Sequence, residues 1–125
     1  MLINLSNHPY EKWPEDQKNE AAIYGEVINL PFPAVRPTAT SGEIDDLVNE
    51  YLARIQTLVR DSQAGTNAVM VQGEFVFTYR LVNELKKSRI AAVAAITERI
   101  VQAETLSDGT VRKTSLFVFR GFREY

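Results

Sequence analysis

The stretch Gln72-Gly73-Glu74 lies between an apolar run and an amphipathic one, a position where a chain can bind an anion. Glycine permits a tight turn or a close approach of the backbone to a ligand. If a helix begins at Glu74, the amides of residues 74–77 and the positive end of the helix dipole would form an anion site, to which Thr78 could add a hydroxyl. The alternative is an ordinary turn, in which the Glu74 carboxylate complements the dipole.

A second polar corner, Ser6-Asn7-His8, follows the apolar start of the chain. Its hydroxyl, amide and imidazole could together hold ribose or phosphate oxygens, and the imidazole could carry a proton near neutral pH. The same residue types, with Pro9 after them, also favour turns for purely local reasons. The corner therefore has a binding interpretation and a structural one.

The elements that must position these corners alternate between strands and helices. Apolar runs predict strands near residues 2–5, 26–33, 68–73 and 90–97. Helix start and stop signals predict helices over residues 14–25, from an N-cap at Ser41 to about residue 59, and over residues 74–88. Near-continuous apolar strands alternating with helices indicate a parallel sheet covered on both faces.

The predicted fold class is therefore α/β: a single doubly wound, Rossmann-like domain over residues 1–125, with about four parallel strands in the order 2-1-3-4. A β-hairpin at about residues 98–125 is predicted at one edge, because Ser107-Asp108-Gly109 separates two β-rich runs. In such sheets ligands bind beyond the carboxyl ends of the strands, where the strand order reverses. Both polar corners then face one crevice, and Thr97, Glu98 and Arg99 approach it from the fourth strand.

Composition narrows the class of protein. The 125 residues suit one domain, and 45% apolar with 24% charged residues can form a core and stay in solution. A formal net charge of −2 argues against a general nucleic-acid binder but not against a small anionic ligand. The absence of cysteine excludes a thiolate metal site, and a single histidine argues against zinc. We expect a cytoplasmic protein, since neither a signal peptide nor an apolar run of about 20 residues is present.

The predicted hairpin interleaves cations and aromatic rings. Such mixtures can stack bases and pair with phosphates. The favoured alternative is that the aromatic rings pack on the sheet or on a second subunit. The residues concerned are Arg99, Arg112, Arg120, Arg123, Phe117, Phe119, Phe122 and Tyr125.

Four segments together resemble a known family. They are the opening "NLSNHP", the corner "QGEFVFTY", the strand end "TERIV" and the hairpin "LSDGTVRKTSLFVFRGFREY". They look like the small CRISPR-associated, CARF-like accessory proteins of type III systems, which are Rossmann-type. Members of that group bind cyclic oligoadenylate second messengers in antiviral defence, and several are ring nucleases that degrade them.

The resemblance implies a ligand-binding set and a candidate chemistry. It implies a homodimer whose crevices meet on a two-fold axis, and a cleavage that requires no metal. We expect no cofactor, and from the composition we expect neither a membrane nor a long nucleic acid as partner. If the ring is cleaved, a ribose 2′-hydroxyl would attack the adjacent phosphodiester, with His8 as proton carrier and Arg99 stabilising charge on the phosphate. The ligand-binding positions implied are Ser6, Asn7, Gln72, Gly73, Glu74, Thr78, Thr97 and Glu98.

Three functions stay open at this point. The first is binding of a cyclic oligoadenylate, with or without cleavage. The second is a non-catalytic module for a nucleotide or another phosphate metabolite. The third is a structural homodimer or partner-docking subunit, in which the polar corners are only turns.

Overall fold

A computed structural model describes all residues of the chain, 1–125. It contains five strands, three α-helices and two short 3-10 turns, at Tyr10–Lys12 and Ala22–Tyr24. In chain order the main elements are β1 (Leu2–Ser6), α1 (Glu15–Ala21), β2 (Val27–Asn29), α2 (Ser41–Asp61), β3 (Ala68–Gln72), α3 (Phe75–Lys87), β4 (Ala91–Thr105) and β5 (Val111–Glu124).

The strands form one sheet in the order β2-β1-β3-β4-β5. β1 pairs in parallel with β2 and with β3, and β3 pairs in parallel with β4. β5 is antiparallel to β4. The predicted fold class and the order 2-1-3-4 are confirmed, and the sheet reverses its order between β1 and β3.

The fourth strand and the first arm of the hairpin are one continuous strand. Pairing of β4 with β3 ends at Val93, whereas pairing with β5 continues to Thr105. Asp108 closes the turn by accepting hydrogen bonds from the backbone and the hydroxyl of Thr110, at 2.9 and 2.6 Å. Because β3 stops so early, the hairpin projects beyond the sheet, and residues 101–117 are all exposed.

Alternate residues of the parallel strands form two cores on opposite faces of the sheet. Ile3 and Val69 belong to the larger core, which α2 and α3 cover. Leu2 and Met70 belong to the smaller core, which packs against Trp13 and the α1 region. Helices on both faces explain why these strands are apolar at nearly every position.

The start of α2 differs from the prediction. The N-cap is Thr40, whose hydroxyl accepts a hydrogen bond from the Glu43 amide at 3.1 Å, and Ser41 is already the first helical residue. Both residues can act as caps, so composition alone does not choose between neighbours.

A β-bulge in β5 sets the direction of its aromatic side chains. Ile96 pairs with Gly121 and Thr97 pairs with Phe119, so one residue, Arg120, is left without a partner on β4. The bulge places Phe119 and Phe122 on the same face, with ring centroids 5.2 Å apart.

None of the helices combines the length and the apolar character needed to cross a lipid bilayer.

Candidate functional site

A cavity of about 290 Å³ lies at the carboxyl ends of β1, β3 and β4, on the α1 side of the sheet. It brings together four of the residues predicted from the sequence: Ser6, His8, Gln72 and Thr97. The rest of its wall is formed by Lys12, Trp13, Pro14, Gln17, Met70 and Ala95. This is the edge of the sheet where the topology predicts a ligand.

The first corner is held by a buried polar network. Asn4 is 1% exposed, and its side-chain amide donates to the His8 carbonyl at 2.8 Å and to Asn29 Oδ1 at 2.9 Å. Ser6 Oγ donates to Asn4 Oδ1 at 2.7 Å and accepts from the His8 amide at 3.1 Å. Trp13 Nε1 also donates to the His8 carbonyl, at 3.0 Å. The backbone of His8 is therefore fixed while its exposed imidazole makes no hydrogen bond to the protein.

Two residues of this region were missed by the sequence reasoning. Asn4 orients the corner, and its only signal was an amide inside an otherwise apolar strand. Lys12 lies on the wall of the cavity without a salt bridge, and a surface lysine after a turn carries no signal in one sequence.

The charge of the cavity wall is positive or neutral. Its ten residues include Lys12 and His8 but no acidic side chain. That contrasts with the formal charge of −2 for the whole chain. A cation among amides and hydroxyls at a strand-end crevice suits a ligand with negative charge.

Side chains replace backbone pairing where β3 and β4 diverge. Beyond Met70, the Gln72 amide donates to the Ala95 carbonyl at 3.2 Å and accepts from the Ala95 amide at 3.0 Å. The Tyr125 hydroxyl donates to the Val71 carbonyl at 2.6 Å, and burial raises the pKa of this phenol above its usual 10.0. Gln72 therefore holds the sheet together at the place where it lines the cavity.

Gly73 is needed for packing against an aromatic ring. A Cβ at this position would lie 2.2 Å from Cζ of Phe32. The Phe32 ring is in turn packed edge-on against Phe77, with centroids 5.2 Å apart. The close approach that the sequence suggested is present, but the group that approaches is Phe32.

The predicted anion cradle at the start of α3 is occupied by the protein itself. Glu74 is the N-cap, and its carboxylate accepts from the Val76 and Phe77 amides at 3.1 and 2.7 Å. Two of the four amides expected to bind an anion are therefore already bonded, because the carboxylate of the N-cap residue accepts their hydrogen bonds. Thr78 is buried, its hydroxyl has no hydrogen-bond partner, and it does not line the cavity.

The three residues at the end of the predicted fourth strand do not converge. Thr97 lines the cavity, whereas Glu98 points to the opposite face and forms a salt bridge with Arg120 at 2.7 Å. Arg99 is on the face of Thr97 but lies two residues further out, where it donates to Ser115 Oγ at 3.1 and 3.2 Å. Arg99 is thus outside the cavity wall that contains His8.

Asn7 is also separated from the cavity. It lines a second cavity of about 240 Å³ near the ends of β1 and β2, together with Asn29 and Phe32. Elsewhere, no group of three or more His, Cys, Asp or Glu side chains is placed to bind a metal ion.

Comparison with known proteins gives a family for the chain. No curated protein and no solved structure matches it. A family described as "Uncharacterized protein MJ1673 family" matches residues 1–123, which contain every strand and helix described above except the last residue of β5. The chain belongs to this MJ1673 family.

Proposed function

We propose that the protein binds a cyclic oligoadenylate at the cavity between the carboxyl ends of β1, β3 and β4. The observation that carries the proposal is the acid-free wall at this edge, where Lys12 and His8 stand among hydroxyl and amide groups. The choice of ligand comes from the resemblance to CARF-like proteins, and the family match does not bear on it. A cytoplasmic location is part of the same proposal.

The size of the cavity limits how such a ligand can bind. About 290 Å³ is just below the roughly 300–1,000 Å³ typical of small-molecule sites. One nucleotide unit can enter, with a phosphate close to Lys12, and the rest of the ring must lie outside the cavity. Binding therefore has to involve surfaces around its mouth.

Cleavage of the bound ring is the second part of the proposal. The 2′-oxygen of a ribose would attack the adjacent phosphorus, the bond from phosphorus to the 5′-oxygen would break, and a 2′,3′-cyclic phosphate and a 5′-hydroxyl would result. His8 is the proton carrier, since its backbone is fixed while its imidazole is exposed at the cavity wall. Lys12 takes the role of stabilising charge on the phosphate, because Arg99 lies outside the wall.

We also propose that the protein is a homodimer joined near this edge. Phe75 and Tyr79 are one helical turn apart in α3 and are 89% and 71% exposed. The first turn of α3 follows the carboxyl end of β3, so this apolar surface lies at the same end of the sheet as the cavity, on the opposite face. Exposed aromatic side chains next to each other are typical of protein interfaces, and a two-fold axis there would bring two cavities together.

Calorimetric titration tests the ligand. The parent protein is titrated with cyclic tetra-adenylate, cyclic hexa-adenylate and AMP, and Lys12→Gln is compared with Lys86→Gln, which removes a lysine at the other end of the sheet. We expect a ring to bind, Lys12→Gln to weaken it and Lys86→Gln to leave it unchanged. Binding of AMP alone would favour a nucleotide-binding module, and binding of none would favour a structural subunit.

A further inference from the structure

The two faces of the projecting hairpin differ in charge. Residues that are paired across the two strands lie on the same face of the hairpin, and every second residue along one strand lies on the same face. The face that contains Thr97, and so continues the cavity wall, is here named the cavity-side face. It consists of Thr97, Arg99, Val101, Ala103, Thr105, Val111, Lys113, Ser115, Phe117 and Phe119.

The cavity-side face has cations without acids. Neither Arg99 nor Lys113 forms a salt bridge, and none of the ten residues of the face is acidic. On the opposite face the charges are compensated, because Arg120 pairs with Glu98 and Arg112 pairs with Glu104. Two uncompensated positive charges on one face of a chain with net charge −2 are complementary to an anionic partner.

An exposed aromatic ring lies directly beside one of these cations. Phe117 is 70% exposed and is the cross-strand partner of Arg99. The Arg99 guanidinium is oriented by its two hydrogen bonds to Ser115 Oγ, which still leave donors free for a ligand. Aromatic side chains beside cations bind single-stranded nucleotides by stacking the bases and pairing with the phosphates.

This surface is continuous with the cavity. Thr97 belongs to both, and its cross-strand partner Phe119 lies on the same face as Phe117, one step nearer to the cavity. Successive residues on one face of a strand are about 6.6 Å apart, so Arg99 lies roughly that distance beyond Thr97 and Lys113 roughly 13 Å beyond Arg99. The cations can therefore contact phosphates of different nucleotides.

We propose that the cavity-side face of the hairpin is a nucleotide-binding subsite, in which Phe117 stacks a base and Arg99 and Lys113 bind the neighbouring phosphates. This subsite rests on the proposed function, because it would bind the nucleotides of an oligoadenylate that do not fit into the cavity. Arg99 is then a binding residue of the hairpin and not a catalytic one. A cyclic oligoadenylate and a linear one present the same bases and phosphates to this subsite.

Fluorescence anisotropy with labelled cyclic tetra-adenylate and labelled linear tetra-adenylate tests the subsite. Phe117→Ala should weaken binding roughly 5- to 150-fold, the range for loss of one stacked base. The slope of log affinity against log salt is negative, and Arg99→Gln and Lys113→Gln should each make it less steep by about 0.7, the value for one phosphate contact to a single strand. Matched controls on the opposite face, Leu116→Ala and Arg112→Gln, should bind like the parent.

The outcomes separate this inference from the proposed function. Weaker binding of the ring assigns the subsite to the messenger, and weaker binding of the linear strand alone assigns it to a linear strand. If Lys12→Gln weakens binding while the three hairpin variants bind like the parent, the subsite is wrong and the cavity proposal stands. If neither probe binds the parent, both fail. If Phe117→Ala changes the sedimentation of the ligand-free protein, the face is a protein interface and the subsite is wrong.

Discussion

Gln72 and Ala95 form the pair of hydrogen bonds that two backbone residues would form in a sheet, although one partner is a side-chain amide. A glutamine amide has one carbonyl and one NH₂ group, so it can imitate a peptide unit. The amide extends the bonding between β3 and β4 past the last backbone pair. The cavity thus opens beside a point where the backbone N–H and C=O of Ala95 are already hydrogen-bonded.

Gln72→Ala should lower the free energy of unfolding by about 1–3 kcal/mol, because two hydrogen bonds are lost and the Ala95 backbone groups are left unpaired. Urea unfolding measures the change. Gln102→Ala, an exposed glutamine of β4, is the control and should be within about 0.5 kcal/mol of the parent. Equal effects at the two positions would mean that the Gln72 amide does not support the sheet.

Glu74→Ala should destabilise the protein by about 1 kcal/mol, the usual cost of losing an N-cap. Glu74→Ser retains a capping oxygen and should recover most of that loss. Ligand affinity should not fall in either variant, since in the parent the carboxylate already occupies the amides of Val76 and Phe77. Thermal unfolding and calorimetric titration of the same samples measure both effects. A loss of affinity in both variants would show that the Glu74 carboxylate contacts the ligand.

Gly73→Ala should destabilise by about 1–3 kcal/mol, because the new methyl group overlaps the Phe32 ring. In the double variant with Phe32→Leu the two effects should be less than additive by at least about 0.5 kcal/mol, as expected for residues in contact. Gly65→Ala is the control, since a Cβ there meets nothing within 4 Å. Additive effects in urea unfolding would mean that Phe32 does not require glycine at position 73.

His8→Ala should bind a cyclic oligoadenylate like the parent but cleave it about 10²- to 10⁴-fold more slowly, the usual contribution of a proton carrier. The fold should not change, because the network around His8 uses its backbone and not its imidazole. Chromatography of the products measures the rate, and Asn7→Ala, at the adjacent exposed position, is the control. Cleavage at the parental rate would remove His8 from the chemistry.

The parent should sediment as a dimer at tens of micromolar, an order-of-magnitude concentration for an interface of standard size. Phe75→Glu should shift it to a monomer, because a charge would be buried in the proposed interface. Ile23→Glu is the control, since Ile23 is 74% exposed and follows α1 at the other end of the sheet. A monomeric parent, or equal shifts in the two variants, would contradict an interface at α3.

The sequence predicted the elements and their order because those depend on patterns that one chain displays. The α3 boundaries were predicted within one residue, and the strand order 2-1-3-4 follows from alternating strands and helices. The sequence could not predict which side chains make contacts within the protein at the positions expected to bind a ligand. The carboxylate of Glu74, the amide of Gln72 and the ring of Phe32 fill positions that a motif assigns to a ligand, and only distances reveal this.

Four of the ten predicted site residues were still brought together, for a topological reason. Ser6 and Gln72 end β1 and β3, and Thr97 lies on the same face of the neighbouring β4, so a parallel sheet must gather them. Arg99 and Glu98 were predicted with them because the fourth strand was expected to stop near residue 97. The strand continues to Thr105, which carries Arg99 outward and turns Glu98 to the other face.

The bulge at Arg120 has a consequence for how the hairpin can change in evolution. Side chains of β5 alternate between the two faces of the hairpin, and the bulge sets which residues of the arm point to which face. Deleting the one extra residue would exchange the two surfaces of the β5 arm, whereas adding two residues to each arm would only lengthen it. Relatives should therefore differ in arm length by even numbers, and a relative that lacks the bulge should have its aromatic residues at positions of opposite parity.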